Sequence, residues 1–275
     1  MLQQKGMENK KPAKVLAVTS GKGGVGKTTF VLNLALSLQK RGKKVLIFDA
    51  DAGLGNVHAF LGLNPELDLS HVARGEKSLK DIVLRTSYGF SIIPAPSGVE
   101  ELSQLSGPLK MEIINEADDL GENIDYMIID TAAGISSNVT YFCAASQEIV
   151  VVVTPEPTSI LNAYSLIKIL HIGYGEKRFR IAVNIAKDRE EGKKTFLRIA
   201  ETTDDFLGLS LDLLGILPED GFVKRSTLER KLVVDAYPQS PYSASVAKLA
   251  MRVESLNPPK PKGSTQFFWK KLLEA

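Results

Sequence analysis

The sequence predicts a three-layer α/β fold, in which helices cover both faces of a doubly wound, mostly parallel sheet of about seven or eight strands. Three observations lead to this prediction. Short β-branched runs alternate along the chain with longer segments of helical period. Most of these runs are continuously apolar, as expected of strands that helices cover on both sides. With 275 residues, 44% of them hydrophobic, the chain can form one large domain without needing a second.

Seven runs are predicted as strands. They cover, in chain order, residues 14–19, 44–50, 90–95, 125–131, 148–154, 179–185 and 211–217. The segment after the first run predicts a helix, because Val31, Leu34, Ala35 and Leu38 recur at helical spacing. Gly42 follows where helices commonly end in a left-handed residue. We expect this helix to pack against the sheet.

Composition narrows the class of protein. The formal net charge is +2, so no strong overall field favours nucleic acid or an anionic membrane. Residues 1–13 are predicted to be a polar leader, because they lack the apolar core of a signal peptide. The apolar runs are also shorter than the roughly 20 residues that cross a bilayer. Cys143 is the single cysteine, which fits a reducing compartment, so a cytoplasmic location is expected.

The C-terminal part of the chain predicts two further segments. After a predicted domain over residues 14–256, the proline-rich residues 257–263 predict a stiff linker, and residues 264–275 predict a helix. At about 100° per residue, one face of this helix is apolar and the other is charged. The apolar face carries Phe268, Trp269, Leu272 and Leu273, and the charged face Lys270, Lys271 and Glu274. Such a helix can lie in a membrane interface or dock on its own domain.

A glycine-rich loop directly follows the first predicted strand. Gly21, Gly26, Lys27 and Thr28 complete the pattern G-x-x-x-x-G-K-[ST] between a strand and a helix. The loop backbone and the helix N-terminus are expected to cradle phosphates. The predicted nucleotide-binding residues are Gly21, Lys22, Gly23, Gly24, Val25, Gly26, Lys27, Thr28 and Thr29. Among them, Lys27 is expected to reach the β and γ phosphates, Thr28 a Mg²⁺ ion, and Thr29 the α phosphate.

Three aspartates lie at predicted strand ends. Strand alternation sends Asp49 and Asp51 to the same side, at the carboxyl edge where open α/β sheets bind ligands. Asp130 ends an apolar run in the manner of a Walker B motif and is expected to hold Mg²⁺ through water. A buried pair of carboxylates is costly without a cation, which favours a metal ion at this edge.

The loop contains a second lysine, Lys22, and the stretch Lys22-Gly-Gly-Val-Gly-Lys-Thr28 resembles the deviant Walker A motif of the MinD/ParA/ArsA ATPases. The resemblance implies that Lys22 crosses a dimer interface to the nucleotide of the other subunit, as an arginine finger does. The second strand end is similar to the family pattern D-x-D-x-G-L-x-N. This implies that Asp51 orients the attacking water and that Asp49 helps to organise Mg²⁺. The implied activity is slow, Mg²⁺-dependent ATP hydrolysis, with Lys22, Lys27 and Asp51 as the catalytic residues.

Two further positions resemble those that read adenine in MinD-like proteins. They are Asn184, near the end of the sixth run, and Pro218-Glu219-Asp220, after the seventh. Both are also common as plain turn residues. The resemblance, together with the lack of a GTPase-type N-K-x-D sequence, favours ATP and ADP over guanine nucleotides.

Within this group, residues 49–56, 130–135, 156–160 and 163–168 are most similar to the FlhG (FleN, YlxH) family of flagellar-number regulators. The similarity extends from about residue 15 to residue 268. It implies an ATP-dependent homodimer, membrane attachment through the C-terminal helix, and as partners the switch proteins FliM and FliN(Y), the FlhF GTPase, or a σ54-type activator. Two features depart from the family pattern: Ala52 and Gly55 replace bulkier residues, and the leader lacks the motif D-Q-A-x-x-L-R, which puts stimulation of FlhF in doubt.

Other classes of protein remain open alternatives. A ParA-like partition ATPase would bind DNA through a concentrated basic face, which the near-neutral charge disfavours. Division-site MinD shares most of the motifs. A carrier of metal or Fe–S clusters would need a C-x-x-C pair, which one cysteine cannot provide. A small-molecule kinase or dethiobiotin-synthetase-like enzyme shares the fold and would release phosphate only with an acceptor.

Overall fold

The computed structural model describes residues 13–51, 56–94, 115–117, 119–121 and 123–256. The predicted leader lies outside these residues except for Ala13. The predicted linker and C-terminal helix, the loop that contains Ala52 and Gly55, and residue 95 of the third predicted strand also lie outside them. No helix in the described ranges has the length and apolar character needed to span a membrane.

The strands of the described residues form one eight-stranded sheet in the order β3-β4-β2-β5-β1-β6-β7-β8. They are β1 (Lys14–Ser20), β2 (Val45–Ala50), β3 (Leu84–Arg85), β4 (Ser91–Pro94), β5 (Tyr126–Ala133), β6 (Glu148–Val153), β7 (Arg180–Ala186) and β8 (Asp212–Pro218). Neighbouring strands are parallel, except that β3 runs antiparallel to β4. All seven predicted strands are confirmed to within one or two residues at each end. The two-residue β3 was not predicted, because it is too short to show a period.

The helices with described bounds connect these strands. They are α1 (Lys27–Lys40), α2 (Asn56–Phe60), α3 (Leu69–Ala73), α4 (Ser137–Ala145), α5 (Pro157–Tyr174), α6 (Arg189–Leu207), α7 (Gly221–Leu228), α8 (Val233–Ala236) and α9 (Pro241–Ser255). Helix α1 ends as predicted, because Gly42 has a positive φ of 79° and its N–H donates to the Gln39 carbonyl.

Alternate residues of the central strand β1 enter cores on opposite faces of the sheet. Leu16 and Val18 pack in a cluster with Phe30 of α1 and Leu249 of α9. On the other face, Val15 belongs to a cluster with residues of α4, and Ala17 to a cluster with residues of α5. The predicted three-layer α/β fold is therefore confirmed, since helices bury both faces of a mostly parallel sheet.

Candidate nucleotide-binding site

The glycine-rich loop joins the end of β1 to the start of α1, and two of its glycines are required by close contacts. A Cβ atom on Gly21 would lie 2.2 Å from the backbone carbon of Asn162 in α5. Gly26 has a φ of 83°, and a Cβ atom there would lie 2.4 Å from the Asn184 Nδ2 atom. The loop therefore lies against α5 on one side and against the end of β7 on the other, in a conformation that favours glycine.

Lys27 and Thr28 begin α1 and both bind Asp130 of β5. The Lys27 Nζ atom lies 2.7 Å from Asp130 Oδ1, and the Thr28 hydroxyl donates to Asp130 Oδ2 at 2.7 Å. Burial raises the pKa of Asp130, while the lysine and the hydroxyl favour its charged form. The strand end thus brings together a lysine that is predicted to bind phosphate, a hydroxyl and a carboxylate. Thr29, which is predicted to bind the α phosphate, lies in the same first turn of α1.

Asp49 lies beside Asp130, because the two residues are paired in register between β2 and β5. Both side chains are fully buried. Asp49 Oδ2 accepts from the Val57 N–H at 3.3 Å, whereas Asp49 Oδ1 has no hydrogen-bond partner among the described residues. Burial, and next the charge of Asp130, raises the pKa of Asp49 to about 7. Asp51 follows directly after β2, and its charge raises the pKa of both buried aspartates.

These residues fit a magnesium ion that is shared with phosphate. A buried carboxylate oxygen without a donor is the kind of ligand that a hard cation needs. No group of three or more His, Cys, Asp or Glu in the described part of the chain is arranged to hold a metal by itself. Mg²⁺ commonly takes one or two carboxylates and completes its shell with water and substrate phosphates. Thr28, Asp49 and Asp130 are therefore suited to hold it together with a nucleotide.

Lys22 points away from this carboxylate pair. Its Nζ atom forms an ion pair with Glu156, the residue before α5, and a 3.2 Å hydrogen bond to the Thr158 hydroxyl. The Lys22 backbone is held as well, because its carbonyl accepts from the Ser20 hydroxyl at 2.9 Å. The two lysines of the loop thus have separate environments, with Lys27 buried and Lys22 about a third exposed.

Asn184 contacts the loop directly. Its buried side-chain amide donates to the Val25 carbonyl at 2.8 Å. The next residue, Ile185, has a positive φ of 55°, which is strained for a β-branched side chain. The end of β7 is therefore fixed against the glycine-rich loop. If a nucleotide binds its phosphates to this loop, its sugar and base would extend past this strand end. That Asn184 reads adenine stays a prediction.

Pro218 ends β8, and the two residues after it connect neighbouring elements. The Glu219 N–H donates to the Ala186 carbonyl at 2.8 Å, which ties this turn to the end of β7. The Asp220 carboxylate accepts from the Phe222 N–H at 2.9 Å and the Tyr242 N–H at 3.1 Å, so it caps α7 and also binds the first turn of α9. Because its oxygens have these structural partners, Asp220 would contact a base most readily through its backbone. The predicted adenine contacts at this turn remain predictions.

Two residues that contact the predicted site residues were not themselves predicted to do so. His58 of α2 places its Nδ1 atom 3.7 Å from Asp49 Oδ2, and burial lowers the pKa of its imidazole. Glu156 contacts Lys22 across 134 positions of sequence. His58 lies outside any motif, and the family-like segment 156–160 does not indicate what Glu156 contacts, so only the folded structure shows the partner of each residue.

Comparisons with known proteins agree with this fold. A family model described as "AAA domain" matches residues 13–181. The chain is 40% identical over 271 residues to the antiactivator FleN of Pseudomonas aeruginosa, covering 98% of this chain and 97% of that protein. It is 34% identical to the flagellum site-determining protein YlxH of Helicobacter pylori, covering 97% and 92% of the two chains.

A solved structure of the MinC:MinD cell division complex of Aquifex aeolicus has a similar fold, with a TM-score of 0.72 and 28% identity over 90% of this chain and 99% of that one. The chain thus shares its fold with a MinD structure and nearly its whole length with FleN and YlxH. The chain belongs to the FlhG-type branch of the MinD/ParA ATPase family.

Proposed function

We propose that this protein is a switch ATPase that dimerises with ATP, hydrolyses it slowly in a Mg²⁺-dependent reaction, and thereby regulates flagellar number and placement. ATP would form the dimer, and hydrolysis to ADP would dissolve it. The time between the two events would set how long the dimer surface is available to partners.

The separate environments of Lys22 and Lys27 carry this proposal. Lys27 already supplies the positive charge of its own site, where its ammonium is buried against Asp130. Lys22 belongs to the same loop but is exposed enough to reach another molecule. A second cation that leaves its own site is suited to act in trans, where it would stabilise the charge that develops on a transferring phosphoryl group.

The other residues of the site have roles that follow from their positions. ATP with its Mg²⁺ supplies the phosphoryl group and a cation. When ATP and Mg²⁺ bind, Lys27 and Thr28 would give up their contacts with Asp130 and bind the phosphates and the cation instead. This exchange is favourable because both side chains already lie at the helix N-terminus, where phosphates bind. Asp49 and Asp130 would hold the cation, and Asp51 would orient the attacking water. Turnover depends mainly on positioning and charge, so a site completed only in the dimer would be slow in the monomer.

The relatives support a flagellar role. FleN is described as an antiactivator and YlxH as a flagellum site-determining protein. For this chain we propose a homodimer that engages the switch proteins FliM and FliN(Y), the FlhF GTPase, or a σ54-type transcriptional activator. No specific binding to nucleic acid is expected.

The predicted C-terminal helix would attach the dimer reversibly to the inner face of the cell membrane, and the protein would otherwise be cytoplasmic. A groove of about 720 Å³ lies between β8, α9 and the start of α6. Its apolar walls include Leu213, Ile216 and Met251, and Ser255 at the end of α9 also lines it. The predicted linker begins at residue 257, two residues after Ser255. The groove would therefore be a docking site for the C-terminal helix when that helix is not bound to a membrane. Two helices presented by a dimer would bind a membrane much more strongly than one.

The oligomeric state tests the proposed function. Sedimentation velocity of the protein with Mg²⁺ and ADP, or with a non-hydrolysable ATP analogue, should show a monomer in the first case and a dimer in the second. A monomer in both cases would contradict the proposal and favour a metabolic enzyme of the same fold.

A further inference from the structure

The contact between Lys22 and Glu156 points to a control on dimer formation. We propose that Glu156, with Thr158, is a clasp that holds Lys22 on its own subunit and must open before Lys22 can act in trans. The clasp would set the ATP concentration at which the dimer forms. This inference rests on the proposed function, because it concerns the step in which Lys22 changes partners.

The clasp has two contacts at the Lys22 ammonium. The Glu156 carboxylate forms an ion pair with it, and the Thr158 hydroxyl lies 3.2 Å from it. Glu156 is the N-cap residue of α5, yet its side chain makes no capping hydrogen bond to the described backbone. An N-terminal carboxylate usually binds the free N–H groups of its helix. Here the carboxylate is directed to the loop lysine instead.

Both sides of the clasp are rigid. On the loop side, Gly21 lies so close to the Asn162 backbone that no side chain would fit between them. On the helix side, Pro157 begins α5, and the Thr154 N–H donates to the Ser159 hydroxyl at 3.0 Å, which fixes the first turn. The backbone on both sides of the Lys22–Glu156 contact is therefore fixed, and only the side chains hold Lys22 in this position. Its release requires rotation of side-chain bonds and no rearrangement of the loop.

The chemistry makes the clasp reversible. Side-chain exposures of 36% for Lys22 and 61% for Glu156 place the ion pair in partial contact with water, where such pairs are weak. A triphosphate presented by a second copy carries more negative charge than one carboxylate and can displace it. Each subunit has one clasp, so the free-energy cost of opening a clasp enters the dimerisation equilibrium twice. Loss of an exposed ion pair should raise the equilibrium constant for release of each Lys22 by up to about fivefold. The association constant of the dimer should then rise by up to about 25-fold.

The test compares Glu156→Gln and Glu156→Ala with the wild-type protein. Dimer dissociation constants are measured by sedimentation equilibrium with the non-hydrolysable ATP analogue, and nucleotide affinity is measured separately at monomer concentrations. We expect both variants to dimerise about 3- to 25-fold more tightly while binding the nucleotide unchanged as monomers. The gain should shrink as the salt concentration rises from about 0.05 to 0.5 M, because salt screens an exposed pair.

A matched control is Glu190→Gln. Glu190 also forms an exposed ion pair, with Lys193 at 3.0 Å, but both residues lie within α6. This variant should dimerise as the wild type does. Thr158→Val removes the second contact of the clasp and should give a smaller gain than Glu156→Ala.

The outcomes separate the clasp from the dimer itself. Weaker or unchanged dimerisation of both Glu156 variants, in a protein whose wild type dimerises with the ATP analogue, overturns the clasp alone and leaves the proposed function standing. A gain that does not depend on salt, or an equal gain in Glu190→Gln, also overturns it. Failure of the wild type and of every variant to dimerise overturns both proposals.

Discussion

Asp49 and Asp130 lie side by side in neighbouring parallel strands, and both carboxylates are fully buried. They differ in their partners. Asp130 binds Lys27 and Thr28, whereas Asp49 Oδ1 has no hydrogen-bond partner among the described residues. Burial, and next the charge of Asp130, raises the pKa of Asp49 to about 7, so the charged form of Asp49 is destabilised in the folded protein when no cation is bound.

Asp49→Asn should stabilise the protein in the absence of nucleotide and metal. The pKa of Asp49 rises from an ordinary 3.8 to about 7 on folding, so the folded state binds more protons between these values. The free energy of unfolding contributed by this residue is thus greatest below about pH 4 and is lost as the pH rises through about 7. At pH 8 the variant should be more stable by roughly 1–4 kcal/mol.

Urea unfolding at pH 5 and pH 8 measures this difference. Asp235→Asn, which alters an exposed carboxylate paired with Lys40, should leave the pH dependence unchanged. If the free energy of unfolding of Asp49→Asn depends on pH in the same way as that of the wild type, the raised pKa of Asp49 is contradicted.

Lys22→Ala should abolish the ATP-dependent dimer while leaving nucleotide binding by the monomer largely intact. The reason is that Lys22 lies outside the pocket formed by Lys27, Thr28 and Asp130. Sedimentation velocity with the ATP analogue and a nucleotide-binding titration measure the two quantities. If the variant dimerises like the wild type, Lys22 has no role in trans.

Asp51→Ala should lower the rate of ATP hydrolysis by about 100-fold or more and trap the dimer in the ATP state, because the attacking water loses the group that orients it. Phosphate release and dimer lifetime are the measurements. Hydrolysis at the wild-type rate would exclude Asp51 from this role.

Gly26→Ala should destabilise the nucleotide-free protein more than Gly24→Ala does. Both glycines have positive φ, at 83° and 77°, so alanine is strained at either position. Only at Gly26 would the new methyl group collide with Asn184 and displace its bond to the Val25 carbonyl. The expected losses, measured by urea unfolding, are roughly 2–4 kcal/mol for Gly26→Ala and about 1 kcal/mol for Gly24→Ala. Equal losses would show that the contact with Asn184 contributes nothing.

Removal of residues 258–275 should abolish ATP-dependent binding to anionic liposomes without preventing the dimer. The predicted amphipathic helix would be the membrane contact, and a dimer would present two copies. Co-sedimentation with liposomes in ATP and in ADP compares the shortened chain with the full one. Equal pelleting of the two chains would assign membrane binding to another surface.

The positions of the parallel strands along the chain and the glycine-rich loop between β1 and α1 could be predicted from the sequence, because both depend on local patterns. A strand buried on both faces must be continuously apolar, as β6 is from Ile149 to Val153. A loop that encloses phosphate requires glycine, lysine and a hydroxyl residue at fixed spacing, as residues 21–28 supply. These requirements act on neighbours in the chain, so one sequence is enough to reveal them.

The partners of the charged and polar side chains follow from the folded structure alone. The sequence is sufficient to place Lys22, Asp49 and Asn184 near the carboxyl edge of the sheet, because each lies at or just after the end of a predicted strand. Folding then placed Lys22 against Glu156, Asp49 beside Asp130 and near His58, and the Asn184 amide on the Val25 carbonyl. Apart from the contact of Asp49 with His58, these contacts join residues far apart in sequence, and their strength depends on distance and burial, which no local pattern encodes.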